Sequence, residues 1–259
     1  MKKLFLLSAF LIFACSSDDG SNNDDNNNNN NTFICDGAPY QSIVYGTQEW
    51  TVENACHTTY GDGTTIPQVT DVDEWNNLTT GAWSYYNNDS TKPRLYNWYA
   101  VMGIYNAASL SDVTLRKEFA PEGWHVPSDD EWATFEEYLI ANGYNFDGSS
   151  YSCSPCQQLY NKIAKAISST TGWLNTVGGG EVGSDQSLNN SSHFNAYPQG
   201  IRYTNGSFSS LENVDARFWS STEFTSFIAR IRQLHYGANY FIRIQYLKQG
   251  GLSVRLVKD

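Results

Sequence analysis

Positive charge is scarce in this 259-residue chain, in which 16 Lys and Arg face 27 Asp and Glu for a formal net charge of −11. Nucleic-acid phosphates repel a protein of this charge, so we expect no nucleic-acid partner. Charged residues of either sign make up only 17% of the chain, while aromatic residues make up 15%. A surface poor in charge and rich in Asn, Ser, Thr and Tyr is typical of an extracytoplasmic protein.

The chain also lacks an apolar run long enough to span a bilayer as a helix, which needs about 20 residues. The best candidate is residues 4–13, which are apolar apart from Ser8 and follow Lys2 and Lys3. A short apolar run after positive charge is typical of the core of a signal peptide. We therefore interpret this run as part of an export signal.

The segment Ile12-Phe13-Ala14-Cys15 closes the run and resembles the lipobox read by lipoprotein signal peptidase. We expect residues 1–14 to be removed and Cys15 to carry lipid, palmitate included, so that the membrane is a partner through this anchor. Loss of the two lysines leaves 14 basic against 27 acidic residues and a net charge of −13. An ordinary secretory signal with a chance cysteine is the alternative.

Residues 16–32 are nearly all Ser, Asp, Asn and Gly. Such a segment has no apolar surface to offset the entropy of ordering, so we expect a disordered tether between Cys15 and a domain. Its first residues, Ser16-Ser17-Asp18-Asp19, resemble the acidic export signal of many Bacteroidetes lipoproteins. That resemblance implies attachment to the outer membrane and display on the cell surface. The inner leaflet of the outer membrane is the alternative.

Four cysteines follow Cys15, and an even number in an oxidising compartment suggests two disulfides. They are Cys35, Cys56, Cys153 and Cys156. Three pairings are open, and proximity in sequence favours Cys35–Cys56 and Cys153–Cys156. Cys-x-x-Cys is also the thioredoxin redox motif, but there it follows a buried strand. Here it follows a loop rich in Gly, Asn and Ser, which favours a structural disulfide.

The remaining residues, 33–259, contain no second low-complexity linker and no repeat, so we expect one domain. Ser128 with Glu131 forms a capping box that predicts a helix start. Trp132, Phe135 and Leu139 follow on one apolar face of that helix. The spacing of apolar residues downstream of this helix predicts a second helix.

The expected order along the chain is helices first, then loops, then strands. The second helix is predicted over 155–168, loops over 169–217, and strands over 227–234, 240–247 and 252–257. Helices followed by a run of antiparallel strands indicate an α+β fold. We expect Trp98, Trp124, Trp132 and Trp219 to be buried.

Several motifs occur in an order that resembles the Fibrobacter succinogenes major paralogous domain. They are Gly46-Thr47-Gln48-Glu49-Trp50, Arg94-Leu95-Tyr96-Asn97-Trp98, Ala120-Pro121-Glu122-Gly123-Trp124-His125-Val126-Pro127-Ser128 continuing to Glu131-Trp132, Phe218-Trp219-Ser220-Ser221-Thr222, and Ser253-Val254-Arg255-Leu256-Val257-Lys258-Asp259. The resemblance covers almost all of 33–259. The family is abundant in bacterial surface lipoproteins, and its biochemical role is undefined.

A second resemblance concerns the fold. Trp124 to Ser128 followed by Glu131-Trp132 is similar to the helix entry of formylglycine-generating-enzyme-like domains, and Val254-Arg255-Leu256 is similar to their closing strand. It implies a C-type lectin-like architecture, with two helices, a small twisted antiparallel sheet and long loops. The alternative is that the helix entry is a common capped start with no wider meaning.

Motifs for catalysis, cofactors and metals are lacking. No Gly-x-Ser-x-Gly, phosphate-binding loop or EF-hand spacing occurs. The four histidines are too far apart in sequence for a His-x-x-x-His metal site, and His125 is expected in a core or capping role. Asp129 and Asp130 are expected at the helix start, with Glu136-Glu137 on its solvated face. We therefore expect no catalytic residue, no cofactor and no metal.

Long loops rich in Asn, Tyr, Ser and Gly are typical of recognition surfaces. We expect a non-catalytic recognition or adhesion lipoprotein for a glycan or protein ligand, with Tyr203 and Phe208 as ligand-binding residues. One alternative is an enzyme of the formylglycine-generating class, although no cysteine follows Cys156, where that class carries its reactive pair. Another is a purely structural envelope protein.

Overall fold

The computed structural model describes residues 40–150, 161–210 and 212–259. Across these residues, nine strands form three sheets. The strands are β1 Ser42–Tyr45, β2 Gln48–Thr51, β3 Trp83–Tyr85, β4 Arg94–Tyr96, β5 Trp124–His125, β6 Asp215–Thr225, β7 Ile228–His235, β8 Ile242–Leu247 and β9 Val257–Lys258. The sheet orders are β1-β2-β9-β5, β3-β4 and β6-β7-β8, and neighbours within each are antiparallel. The expectation of one small sheet is therefore wrong, while the mixture of helices and antiparallel strands is confirmed.

Five α-helices occur in the same described ranges, and four of them are only four or five residues long. They are α1 Val72–Asn76, α2 Trp98–Val101, α3 Ala107–Ser111, α4 Asp129–Ala141 and α5 Ala164–Ile167. The second predicted helix, 155–168, is seen only as α5, and residues 155–160 lie outside the described ranges. Helices α1 to α3 were not predicted from the sequence, because a single helical turn is too short to show a periodic spacing of apolar residues.

Helix α4 begins and ends as its sequence predicts. The Ser128 hydroxyl accepts from the Glu131 backbone N–H at 3.2 Å, and a Glu131 carboxylate oxygen accepts from the Ser128 N–H at 2.8 Å. Trp132, Phe135 and Leu139 are fully buried. The Trp132 ring centroid lies 4.5 Å from that of Trp50 on β2. The capping box and the apolar face together hold α4 against the first sheet.

The sheet β6-β7-β8 has a hydrophobic cluster on each face. Adjacent residues of β6 point to opposite faces, so Phe218 packs with Trp132 and Phe194, while Trp219 packs with Trp98 and Ile231. Burial of Trp98, Trp132 and Trp219 is confirmed. The expectation for Trp124 is wrong, because it lies half-buried on β5, an edge strand.

The C-terminal strands agree only in part with prediction. β7 and β8 match the expected strands to within two residues, but the range 252–257 contributes only Val257 to a strand. The 11-residue β6 falls largely between the predicted loops and strands. β6 was not predicted from the sequence, because Phe218, Trp219 and Ser220 are all buried and their burial removes the polar–apolar alternation expected of a strand.

A buried ion cluster joins α4 to β7. Arg232 is 1% exposed and pairs with both Asp129 and Glu136, while Arg243 lies 3.2 Å from Asp129. The expectation that Glu136 lies on a solvated face is therefore wrong, whereas Glu137 is exposed. Burial raises the pKa of Glu136, and the charge of Arg232 opposes that rise. Each ion of this cluster has an oppositely charged partner, which offsets the cost of placing charge beside the core.

Candidate functional site

An open groove of about 900 Å³ lies on the surface beside β5. Four parts of the chain line it: residues 61–62, 114–118, 120–125 and Asp259. Its lining residues are Gly61, Asp62, Thr114, Leu115, Arg116, Lys117, Glu118, Ala120, Pro121, Glu122, Gly123, Trp124, His125 and Asp259. Its volume falls in the range of ordinary ligand pockets.

One wall of the groove is the turn that leads into β5. The Trp124 N–H donates to the Pro121 carbonyl at 3.1 Å, and Gly123 has φ +81°, a left-handed conformation that favours glycine. β5 then pairs with β9, so that the Asp259 N–H donates to the Gly123 carbonyl at 3.0 Å. This pairing brings Trp124, His125 and Asp259 to the same wall.

A second part of the lining is residues 114–118. The Lys117 N–H donates to the Gly103 carbonyl at 3.1 Å, and the Gly61 N–H donates to the Glu118 carbonyl at 2.8 Å. Phe119, next along the chain, is buried in the cluster that contains Trp98 and Trp219. Backbone hydrogen bonds and a buried anchor therefore fix this wall.

His125 bridges two carboxylates at one end of the groove. Its Nδ1 lies 2.8 Å from Asp259 Oδ1, and its Nε2 lies 2.6 Å from Glu131 Oε1. Partial burial acts to lower the pKa of His125, but the hydrogen bonds and charges of Glu131 and Asp259 outweigh it and raise the pKa above its ordinary value. Both nitrogens can donate only when the ring is protonated, so the site favours the cation. The contact with the capping residue Glu131 agrees with the expected capping role.

Lys117 is held inside the groove by neighbours on two sides. It forms an ion pair with Asp62, and its Nζ lies 4.4 Å from the Tyr105 ring centroid. The hydrogen bond from Lys117 is the largest of the effects that lower the pKa of Asp62 to about 2. The other lining cation, Arg116, donates through Nε to the Ser109 carbonyl at 3.3 Å. Asp62 thus neutralises Lys117, whereas Arg116 is hydrogen-bonded to a neutral carbonyl and keeps its positive charge.

Glu118 and Glu122 differ from the other lining carboxylates. Both are exposed, and within the described residues neither carboxylate has a hydrogen bond or an ion pair. Leu115, 44% exposed, lines the groove beside them, and Val113 is exposed just before it. The groove therefore offers two carboxylates without an ion pair, together with exposed aliphatic surface.

Comparison with known families identifies the family of this domain. The model of the Fibrobacter succinogenes major domain family matches residues 43–258. The chain belongs to this family. No curated protein and no solved structure matches the chain. The C-type lectin-like architecture therefore stays a prediction, and the family match by itself assigns no activity to the Fibrobacter succinogenes major domain.

The predicted ligand-binding residues of this Fibrobacter succinogenes major domain lie away from the groove. Phe208 is half-buried, and its ring centroid lies 4.8 Å from the guanidinium carbon of the buried Arg202, whose other neighbour is Trp75 at 4.2 Å. Tyr203 is half-buried against the cluster that contains Trp219. Neither lines the groove, and the binding role of both stays a prediction.

Most of the predicted cysteine chemistry lies outside the described residues. Cys15, Cys35, Cys153 and Cys156 all fall there. Cys56 is disulfide-bonded, but because the other cysteines lie outside the described residues, both predicted pairings stay predictions, as does lipidation of Cys15. Among the residues that are described, no group of three or more His, Cys, Asp or Glu could hold a metal ion. Nor is any described helix long and apolar enough to cross a membrane.

Sequence reasoning missed the groove residues of this domain. Pro121-Glu122-Gly123 is a turn signal, which could have marked Glu122 as exposed. No local signal marks Asp62 or Glu118, because they join the site only when separate segments meet. His125 drew attention in the sequence, but its carboxylate partner Asp259 is 134 residues away.

Proposed function

We propose that this domain is a non-catalytic recognition or adhesion module that binds a glycan or protein ligand in the groove beside β5. The observation that carries the proposal is the groove itself, about 900 Å³ in volume and lined by charged, aromatic and aliphatic side chains. Binding sites are concave, largely preformed and furnished with a few placed polar groups. This groove has those properties.

Preorganisation supports a binding role. Backbone hydrogen bonds hold both walls, and ion pairs hold Lys117 against Asp62 and His125 against Asp259. Side chains already ordered in the free protein lose little further conformational entropy when a ligand arrives. A ligand would therefore meet a surface that needs little rearrangement.

The engagement of His125 favours binding over catalysis. A general base needs a free nitrogen within reach of the proton that it takes. Both nitrogens of His125 face carboxylates at 2.8 Å or less. The lining residues include neither serine nor cysteine, so the groove lacks the hydroxyl of a serine nucleophile and the thiol of a cysteine nucleophile.

The predicted lipid anchor would determine where the proposed module acts. Lipid on Cys15 and the tether 16–32 would attach the domain to the outer membrane and leave it free on the cell surface. The C-type lectin-like scaffold implied by resemblance belongs to the same proposal, since such scaffolds carry long loops. In this setting the groove would meet envelope or extracellular ligands.

A bulky residue at Gly61 tests the proposal. An added Cβ at Gly61 meets its nearest atoms at 3.6 Å or more, so a side chain can enter the groove without backbone strain. Gly61→Tyr should keep the wild-type melting temperature and lose at least about tenfold in affinity on an array of envelope glycans and peptides. Gly237→Tyr is the matched control, since Gly237 is exposed and its added Cβ meets nothing closer than 3.7 Å.

Two results would contradict this proposal. One is a Gly61→Tyr variant that binds the array as the wild type does. The other is wild-type protein that binds nothing on the array, which would favour a structural role in the envelope.

A further inference from the structure

We propose that the groove takes a basic polypeptide segment in which Lys or Arg alternates with apolar residues, rather than a neutral or anionic glycan. The proposal rests on the proposed function, because it assumes that the groove is a binding site. It chooses between the two ligand classes on the charge and the apolar surface of the groove.

The groove carries more carboxylates than cations. The lining carboxylates are Asp62, Glu118, Glu122 and Asp259. Lys117 pairs with Asp62 and His125 pairs with Asp259, which leaves Glu118 and Glu122 without a cation. The surplus is negative, as is the whole chain at −11. A cationic ligand would be attracted both locally and at long range, while an anionic ligand would be repelled.

The cations near the groove offset only part of this surplus, because the four lining carboxylates face Arg116, Lys117 and, when it is protonated, His125. Arg116 is half-buried and donates to the Ser109 carbonyl, and Lys258 lies 2.9 Å from Glu49 on β2. Lys258 Nζ also lies 6.0 Å from the Trp124 ring centroid. Lys258 is therefore already engaged by Glu49 and lies at the outer limit of a cation–π contact with the half-buried indole in the groove wall.

The groove also includes exposed aliphatic surface. Leu110, Val113 and Leu115 are exposed within one short stretch of chain, and Leu115 lines the groove beside the free carboxylates. Apolar side chains of a peptide gain free energy by covering such surface, whereas a neutral sugar carries hydroxyl groups that lose water there. A peptide that carries both cationic and apolar side chains can contact Glu118, Glu122 and Leu115 in one groove.

The experiment measures binding of synthetic peptides of about ten residues by calorimetry. The probes are alternating Lys and Leu, alternating Lys and Ser, and alternating Glu and Leu, with a neutral β-glucan oligosaccharide as the glycan probe. We expect the Lys/Leu peptide to bind at least about tenfold more tightly than the Lys/Ser peptide. The Glu/Leu peptide and the oligosaccharide should not bind. Added salt should weaken binding of the Lys/Leu peptide.

Matched variants separate groove binding from general attraction to an acidic protein. Glu118→Gln/Glu122→Gln should lose at least about tenfold in affinity for the Lys/Leu peptide. Glu74→Gln/Glu137→Gln removes the same charge from exposed positions outside the groove and should keep affinity within about twofold of wild type. Leu115→Ser should weaken binding, while Leu247→Ser, at a side chain 43% exposed on β8, should not.

Each outcome has a defined meaning. Binding of the oligosaccharide that Gly61→Tyr abolishes, without peptide binding, overturns the peptide assignment and retains the groove as a site. Equal losses in both glutamate double variants overturn the assignment, because attraction would then be global. Absence of any binding sensitive to Gly61→Tyr overturns the proposed function as well.

Discussion

At the scale of single residues, the groove is held by side chains that satisfy one another in the free protein. One oxygen of Glu131 caps α4 through the Ser128 N–H, and the other lies 2.6 Å from His125. The same carboxylate therefore joins the start of the helix to the groove wall. A proton on His125 strengthens this link, which makes the end of the groove sensitive to pH.

His125 should stabilise the fold in a pH-dependent way. Its pKa is raised in the folded state, so its contribution to stability is fully present below the unfolded value of 6.5 and is lost as pH rises through the folded value. Thermal unfolding should show His125→Gln melting below wild type at about pH 5.5 and close to it at about pH 9. His235→Gln, which forms no ion pair among the described residues, is the control. A gap between wild type and His125→Gln that does not change with pH would contradict this prediction.

At the scale of elements, a buried ion cluster and a hydrophobic face together seat α4 on the rest of the domain. Trp132 and Phe135 pack on Trp50 and Phe194, while Asp129 and Glu136 meet Arg232 from β7. The helix thus packs its aromatic rings on β2 and is also bound by charge to β7. The start of α4 also carries Glu131, so its position determines that of His125.

Removal of Arg232 should destabilise the domain strongly. Arg232→Ala would leave Glu136 and Asp129 buried without their main partner, and loss of one member of a buried pair costs about 3–5 kcal/mol. Chemical denaturation at neutral pH measures this free energy of unfolding. Arg230→Ala, two residues earlier on β7 at a half-exposed position, is the control and should cost about 1 kcal/mol or less. A similar loss in both variants would show that the cluster adds nothing particular.

At the scale of the whole molecule, a domain of the Fibrobacter succinogenes major family spans 43–258, and a predicted signal peptide and tether precede it. The proposed function needs both parts, because a recognition domain displayed on a surface depends on its attachment. Its acidic charge would also draw cationic ligands towards the cell surface.

Lipidation of Cys15 can be tested in cells. Cys15→Ser should leave the precursor unprocessed or release the domain from the membrane fraction, because one acyl-bearing residue supplies the anchor. Fractionation with immunoblotting and labelling with a palmitate analogue measure both effects. Cys35→Ser is a control that should remain labelled and membrane-bound. Unchanged processing and membrane retention in Cys15→Ser would rule out this anchor.

Several features could be predicted because their causes lie close together in the chain. The capping box of Ser128 and Glu131 and the spacing of Trp132, Phe135 and Leu139 are local, and α4 forms as they predict. β7 and β8 are runs rich in β-branched and aromatic residues with a turn between them, and they form nearly where expected. The ordered motifs were also sufficient to indicate the family.

Other features were mispredicted because their causes are distant. The sequence predicts that Glu136 is solvated, yet its side chain is only 14% exposed and pairs with Arg232, 96 residues away. Trp124 reads as core, yet it lies at a sheet edge that only the pairing of β5 with β9 defines.

The sequence by itself determined the family, the main helix and two of the C-terminal strands, since short-range periodicity, capping and motif order encode them. Only the tertiary structure decided the groove. Its walls come from 61–62, 114–118, 120–125 and Asp259, and no spacing in the chain relates these segments. Whether a carboxylate there is neutralised depends on which distant cation packs beside it. Glu118 and Glu122 are unpaired for that reason, while Asp62 and Asp259 are paired.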